Sequence, residues 1–166
     1  MDRDPSIIVR HDLRPGDMGS IIHLHGKLYG EEHGFDHTFE IHVAEPLVEF
    51  VRNYSQGRGK KIWIVEKEGR VMGSLAIVRC SDEEAQLRWF LVHPELRGKG
   101  IGRRLVEEAL SFCRESGFSS VFLWTVNTLK PAASLYRSVG FKKTAESTAR
   151  MWGKVITEER YDLVLK

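Results

Sequence analysis

The sequence predicts a mixed β-sheet with helices packed on its faces, an α+β fold. Two observations carry this prediction. Apolar patterns of helical and strand period follow one another in the order β-α-α-β-β-β-α-β-α-β-β. The chain has 166 residues and shows no repeat, low-complexity tract or linker-like segment. A chain of this length buries a full core, so we expect one domain over residues 1–166.

The first part of the chain predicts one strand and two helices. Ser6 to Val9 is rich in β-branched residues and predicts the first strand. Asp17 is placed to cap a first helix, which we expect the segment 30–36 to interrupt. Thr38 is placed to cap a second helix, in which Pro46 predicts a kink or a break.

The rest of the chain predicts a meander of three strands followed by alternating helices and strands. Turn residues at 55–59 precede the meander, and Gly117 and Gly140 are expected to end the two helices. The apolar run 121–126 is typical of a strand buried on both faces. The predicted strands are 62–65, 71–80, 87–92, 121–126, 141–145 and 160–165, and the predicted helices are 103–115 and 131–139.

Composition excludes several classes of function. The net charge of +2 is too small to indicate nucleic-acid binding. The only cysteines, Cys80 and Cys113, fit a reduced cytoplasm better than a disulfide scaffold. The first five residues are polar and charged, so no signal peptide is expected there. No apolar run approaches the ~20 residues of a membrane span, so we expect no membrane partner.

A glycine-rich turn between a predicted strand and a predicted helix is the strongest functional signal. Glycines let the backbone approach a ligand closely, and the N-terminus of the following helix presents free N–H groups and a positive dipole end. Cationic side chains at 97, 99, 103 and 104 add positive charge, so the sequence predicts a pyrophosphate site. The turn consists of Arg97, Gly98, Lys99, Gly100, Ile101 and Gly102, and Arg103 begins the helix.

This turn and its surroundings resemble the GNAT superfamily of N-acetyltransferases. Residues 91–102 fit that family's acetyl-CoA signature, and residues 135–141 are similar to its second signature. A closer resemblance is to the acetyltransferase half of bacterial proteins that fuse a MarR-type winged helix to a GNAT domain. Segments 13–17, 25–29 and 32–36 carry that likeness.

The resemblance implies acetyl-CoA as co-substrate, bound in a V-shaped split between the strand ending at Val92 and the strand 121–126. It implies that Phe90, Leu91 and Val92 contact the pantetheine arm, and that residues 98–103 hold the pyrophosphate. An amide of Phe90 or Val92 would stabilise the oxyanion. Tyr136 matches the family's general acid. The family's cofactor-binding asparagine position is Leu129 here, and Asn127, two residues away, is the candidate in its place.

The acceptor side is less defined. The family's usual carboxylate base falls at Gln86, which cannot act as a base, so Glu31, Glu32, His33, His37 or a water chain are left as alternatives. We expect Tyr29, Glu32 and Phe35 to bind the acceptor, and the cluster of Glu31, Glu32 and Asp36 to attract a cationic amine.

Five of the seven histidines lie between residues 23 and 42, which raises the question of a metal site. His33 and His37 would share a helix face if one helix spanned both. Gly34 makes that helix uncertain and no cysteine pair supports it, so we expect no metal. By analogy with relatives we expect a homodimer.

The sequence therefore predicts a cytoplasmic, bacterial N-acetyltransferase that passes acetyl from acetyl-CoA to a small-molecule or peptide amine by direct attack. The alternative is a module of the same fold that binds acyl-CoA without catalysis. A dinucleotide- or nucleotide-binding protein is disfavoured, because the chain lacks both Gly-x-Gly-x-x-Gly and the P-loop motif.

Overall fold

A computed structural model describes residues 4–54 and 59–165 of the chain. Three stretches lie outside it: residues 1–3, 55–58 and 166. The first belongs to the segment for which no signal peptide is expected, and the second to the predicted 55–59 turn. The elements follow the predicted order. They are β1 (Ile7–Arg10), α1 (Asp17–His33), α2 (Thr38–Arg52), β2 (Lys61–Lys67), β3 (Arg70–Arg79), β4 (Glu84–Val92), α3 (Ile101–Glu115), β5 (Ser120–Val126), α4 (Lys130–Ser138), β6 (Lys142–Met151) and β7 (Lys154–Val164). The predicted mixed α+β fold is confirmed.

The seven strands form one sheet in the order β1-β2-β3-β4-β5-β7-β6. Every neighbouring pair is antiparallel except β4 and β5, which are parallel and joined by the crossover helix α3. That pair is in register only from Glu84 opposite Ser120 to Gln86 opposite Phe122. Both strands continue for several residues beyond this point, so the sheet splits into an open wedge.

Helices cover both faces of the sheet, and each face has its own apolar core. On the α3–α4 face, alternate sheet residues such as Trp63 and Val65 pack with Leu105 and Ala109 of α3. On the α1–α2 face, the intervening sheet residues pack with helix residues such as Leu47. The alternation follows from the two-residue period of a strand.

Helix α1 is longer than predicted. It passes through Gly30 and ends at Gly34, whose φ of 71° favours glycine and whose N–H donates to the carbonyl of Gly30 at 3.0 Å. An interruption between the two helices is present as predicted, but it begins at Gly34 instead of Gly30, since α1 continues to His33. Since Gly34 ends α1, His33 and His37 do not share one helix.

The caps of the first two helices differ from those predicted. Asp17 is the first residue of α1, and its buried carboxylate pairs with Arg10 at 2.7 and 2.8 Å. Thr38 is the first residue of α2, and its N–H donates to Oδ1 of Asp36 at 2.9 Å. Both aspartates stabilise the start of a helix. Asp17 does so from inside α1, one residue later than a cap, and Asp36 takes the role that was predicted for Thr38.

Helix α2 is continuous through Pro46, so the predicted break is absent. Pro46 has no N–H to donate within the helix. Packing compensates for the loss, because Phe39, Val43 and Leu47 anchor the helix on the sheet both before and after the proline.

The C-terminal hairpin is also longer than predicted. Strand β6 is exposed along nearly its whole length at the sheet edge, so its sequence lacks the apolar alternation that reveals a strand. Strand β5 departs from the prediction at one position, since Trp124 is 41% exposed where burial on both faces was expected.

Candidate active site

The wedge between β4 and β5 is shaped by a bulge in β4. Ala76 of β3 pairs with Arg88 of β4, and Ser74 of β3 pairs with Leu91 of β4. Two steps along β3 therefore correspond to three steps along β4. The extra residue is accommodated at Trp89, which has a φ of 48°. The hydroxyl of Ser74 donates to the Trp89 carbonyl at 2.6 Å and stabilises this turn of the backbone.

The bulge leaves backbone groups of β4 directed into the wedge. The N–H of His93 donates to Met72 of β3 at 2.8 Å, and the Leu91 carbonyl also lies on the β3 side, against Gly73. Successive residues of a strand direct their N–H and C=O groups to opposite sides. The amides of Phe90 and Val92 therefore point away from β3, where β5 is no longer in register to pair with them.

The glycine turn leads from the end of β4 to the N-terminus of α3. Gly98 and Gly100 have φ angles of 79° and 78°, and a Cβ at either would meet nothing within 4 Å. A Cβ at Gly102 would lie 3.3 Å from the Phe90 ring. The free N–H groups of the first turn of α3 thus face open space that no side chain of the turn occupies.

The basic side chains around the turn are largely engaged within the protein. Arg97 forms two bonds to the Glu32 carboxylate, at 2.6 and 3.1 Å, and donates from Nε to the Val92 carbonyl at 3.0 Å. Arg103 donates to the hydroxyl of Ser138 at 2.9 Å. The backbone of the turn, rather than its cations, is left available to an anion.

A cavity of about 830 Å³ runs through the wedge from the glycine turn to the α1–α2 face. It brings together most residues that the sequence singled out. Its lining includes Phe90, Leu91, Val92, Arg97, Gly98, Gly100, Ile101, Gly102, Arg103 and Tyr136, together with Tyr29, Glu32 and Phe35. Lys99 is not part of this lining, and Asn127 lines a smaller neighbouring cavity beside Lys154.

Tyr136 reaches the cavity from α4 and is 5% exposed. Its ring lies 6.2 Å from that of Phe90 and 5.9 Å from that of Phe141. Burial, with smaller contributions from Tyr29 and Tyr161, raises the pKa of Tyr136 above the ordinary value of a phenol. The hydroxyl is therefore fully protonated at neutral pH and suited to donate a proton inside the cavity.

Thr125 of β5 provides a buried hydroxyl on the cavity wall. Its residue is 7% exposed, and its Oγ1 has no hydrogen-bond partner within residues 4–54 and 59–165. A buried unpaired hydroxyl costs about 1–3 kcal/mol. Such an atom beside a cavity is a natural partner for a polar group of a ligand.

The opposite end of the cavity has aromatic walls that sequence reasoning only partly found. Tyr29 and Phe35 were predicted, and Phe39, His42 and Trp152 join them. The Phe35 ring lies 5.0 Å from that of Trp152, and the His42 ring lies 4.9 Å from it. No sequence pattern linked Trp152, which is far along the chain on the β6–β7 turn, to the first two helices.

The proposed bases divide into two groups. Glu31 and His37 are exposed and do not line the cavity, and Glu32 is engaged with Arg97. His33 lines the cavity, and burial lowers the pKa of this histidine. Glu158 of β7, which the sequence did not single out, also lines it, and burial raises its pKa. It was missed because the last strand was predicted to begin only at residue 160.

The histidines of α1 form no metal site. Within the described ranges no three His, Cys, Asp or Glu side chains are placed to hold a metal ion. His25 is buried, with Nδ1 2.8 Å from the Ile21 carbonyl, and burial lowers its pKa to about 4. Among the helices of residues 4–54 and 59–165, none is long and apolar enough to cross a membrane.

A split sheet with free β4 amides, a glycine turn at a helix N-terminus and a buried tyrosine is an arrangement that suits an acyl-CoA. Comparison with known families agrees, since residues 26–141 match the model described as the acetyltransferase (GNAT) family. The chain belongs to this family.

Individual relatives support the same assignment. Human N-acetyltransferase 8B is 32% identical over 122 residues, which cover 70% of this chain and 54% of the relative. YjgM of Escherichia coli K12, named as an uncharacterised N-acetyltransferase, is 39% identical over 106 residues, 60% of this chain and 62% of its own length. The chain spans about half the length of the mammalian relatives it matches.

Solved structures show the same fold. An acetyltransferase from Streptococcus agalactiae superposes with a TM-score of 0.79 at 22% identity, covering 97% of this chain and 99% of its own. YncA from Salmonella typhimurium, solved with its cofactor acetyl-CoA, has a TM-score of 0.74 at 19% identity and covers 97% and 95%.

Proposed function

We propose that the protein is an acetyl-CoA-dependent N-acetyltransferase that transfers acetyl to a primary amine by direct attack. The observation that carries the proposal is the wedge itself. It combines unpaired amides of Phe90 and Val92, the buried hydroxyl of Tyr136 and the glycine turn in one cavity. Each part has a use in acetyl transfer, because the amides and the turn suit the cofactor and the hydroxyl can donate a proton.

The residues of the chain fit acetyl-CoA. The free groups of β4 can pair with an extended amide-containing arm in the way that an added strand would. The N–H groups at the start of α3, with the left-handed glycines Gly98 and Gly100 before them, suit a diphosphate. Oγ1 of Thr125 offers a further hydrogen bond on the opposite wall of the wedge. When bound, acetyl-CoA supplies the activated acetyl group.

Three groups of the chain serve the transfer. An N–H of Phe90 or Val92 donates to the carbonyl oxygen that gains negative charge as the amine attacks, an effect typically worth about 3 kcal/mol. Tyr136 donates its proton to the sulfur as the C–S bond breaks and the C–N bond forms. The amine gives up one proton to a base on the acceptor side, which passes it to solvent, and Tyr136 recovers a proton from solvent, so that both groups return to their starting state.

Glu158 fits the role of that base best. It lines the cavity, and its raised pKa strengthens it as a proton acceptor. Gln86 cannot act as a base, and the Glu32 carboxylate is held by Arg97. His33 is weakened by its lowered pKa and stays the second candidate.

A screen of amines with acetyl-CoA tests the proposal. Purified protein is incubated with acetyl-CoA and an amine panel, free CoA thiol is measured, and acetylated products are identified by mass spectrometry. We expect thiol release that depends on the amine and a product heavier by one acetyl group. Calorimetric CoA binding without turnover on any amine would favour the alternative, a non-catalytic acyl-CoA-binding module. Loss of both binding and turnover would contradict both.

The finer expectations from the sequence belong to the same proposal. We infer that the chain is similar to the acetyltransferase half of the bacterial MarR–GNAT fusions, acts in the cytoplasm, and forms a homodimer. The retained Tyr136 supports catalysis over a purely regulatory role, because a module that only binds acyl-CoA needs no proton donor.

A further inference from the structure

Two charged side chains on the acceptor side lack a role in the fold. Arg88 lies on β4, two residues beyond the point where pairing with β5 ends, and Glu158 lies on β7 opposite Val126. Directly opposite residues of an antiparallel pair share a face. Because Ala76, opposite Arg88, and Val126 both belong to the α1–α2 core, both charges face that side.

Neither charge has a partner of opposite sign among the described residues. Within residues 4–54 and 59–165, no ion pair or hydrogen bond involves the side chain of Arg88 or Glu158. Their neighbours behave differently: Arg160 pairs with Asp162 at 2.9 Å, and Glu159 pairs with Lys143 at 2.7 Å. The Arg88 guanidinium instead lies 4.9 Å from the Trp89 ring centroid.

Both groups are half-buried and both line the cavity. Burial lowers the pKa of Arg88 and raises the pKa of Glu158, which means that each charge is held in a costly environment. Unpaired charges of opposite sign are rarely retained in one cavity unless a ligand compensates them. The position of each therefore indicates the charge of one group on that ligand.

The walls between these charges are aromatic. The ring centroids of Phe39 and Trp152 lie 4.8 Å apart, and the His42 ring contacts both of these rings. Burial and the nearby Arg88 charge lower the pKa of His42, so this ring is neutral at pH 7. With Glu32 already bound to Arg97, the acceptor end offers one free cation, one free anion and apolar surface among the described residues.

We propose that the acceptor is an amine that also carries an anionic group and an aromatic or apolar portion, with Arg88 binding the anion and Glu158 the amine. This inference rests on the proposed acetyltransferase function and names its acceptor class. An amino acid or short peptide with a free carboxylate has this chemistry, and an amine bearing a phosphonate shares it. Arg88 is a specificity-determining residue in this arrangement, while Glu158 contacts the reacting nitrogen.

Matched acceptor pairs test the proposal. The probes are L-phenylalanine with L-phenylalanine amide, and L-phenylalanylglycine with its amide, so that the carboxylate is placed at two distances from the amine. The phosphonate analogue of phenylalanine tests the other anion. In the unmodified protein we expect at least one acid to exceed its amide about 10-fold or more in kcat/KM. If the amides equal or exceed the acids in both pairs and the phosphonate is no better, the proposal is overturned.

Variants separate the two roles. Arg88→Gln should raise KM for the acids, leave the amides nearly unchanged and so abolish the preference, while Arg88→Lys should restore part of it. Glu158→Gln should lower kcat/KM for acids and amides alike, because both present the same amine. A preference that survives Arg88→Gln in a folded variant would contradict the assignment.

The controls carry the same charge changes away from the cavity. Arg79→Gln removes a partly buried arginine that pairs with Asp82, and Glu159→Gln removes the carboxylate next to Glu158 on the opposite face of β7. Both should keep the preference. Should no amine of any kind be acetylated, the proposed function fails, and calorimetry of the same probe pairs with CoA-loaded protein decides the acceptor proposal: equal binding of acids and amides rejects it.

Discussion

The two ends of the cavity are built in different ways. At the cofactor end, one continuous segment supplies the strand end, the glycine turn and the helix start, and its backbone carries most of the polar groups. At the acceptor end, side chains from α1, α2, β4 and the β6–β7 hairpin meet across long sequence separations. A backbone-built site tolerates changes in its side chains, whereas a side-chain-built site changes its ligand with each substitution.

Loss of the Tyr136 hydroxyl should give the largest effect, because this side chain serves the chemistry between the two ends. We expect Tyr136→Phe to lower kcat about 100-fold or more while the calorimetric affinity for CoA is kept. Tyr161→Phe is the control, since it removes a buried hydroxyl nearby that only accepts from Arg137 at 3.1 Å. Equal losses of kcat in both variants would assign Tyr136 a packing role.

Acid should destabilise the acceptor end through His25. The pKa of this histidine is about 4 in the folded protein and near 6.5 when unfolded, so the unfolded state binds the extra proton first. Stability is full above pH 6.5 and falls as the pH drops towards 4, by roughly 3 kcal/mol at most. Thermal unfolding between pH 7 and 4 measures this.

The variant His25→Gln isolates that contribution. It should be less stable at pH 7, where it loses a packed ring, but its melting temperature should fall less steeply with acid. His33 and His42, whose pKa values burial also lowers, are retained in the variant and contribute to the remaining slope. Parallel curves for variant and unmodified protein would refute the contribution of His25.

The backbone-built end can be tested with two matched glycines that flank α3, one before its start and one after its end. Gly100→Ala and Gly117→Ala both place a side chain at a left-handed position, at φ of 78° and 86°, where a Cβ meets nothing within 4 Å. Each should cost roughly 1 kcal/mol of stability. Only Gly100→Ala should also weaken CoA binding, by about 10-fold, because its methyl group enters the space in front of the α3 N-terminus. Equal CoA affinity in the two variants would move the diphosphate elsewhere.

Thr125→Val gives the smallest expected effect, and its two readouts differ in sign. Removing an unpaired buried hydroxyl should stabilise the free protein by about 1 kcal/mol, while the lost hydrogen bond weakens CoA binding a few-fold. Thr157→Val is the control, because that hydroxyl already pairs with Thr148 at 2.9 Å. Unchanged CoA affinity in Thr125→Val would remove this residue from the cofactor site.

The same contrast explains what the sequence could predict. The order of elements and the cofactor end were predictable, because local periodicity and one contiguous motif encode them. The acceptor end was not, since Arg88 and Glu158 look like solvated residues of alternating strands until the fold brings both to the same cavity, on the same face of the sheet. Pro46 shows a second limit, because packing on the sheet overrides the local preference that predicted a break.

The pairing of Glu32 with Arg97 has a consequence for how such enzymes diversify. It fastens helix α1 to the first residue of the glycine turn. A substitution at position 32 that suited a new acceptor would also free the Arg97 cation, beside the turn proposed to hold the CoA diphosphate. Because product release limits the turnover of many enzymes, altered acceptor choice and altered release rate are inherited together through this one contact.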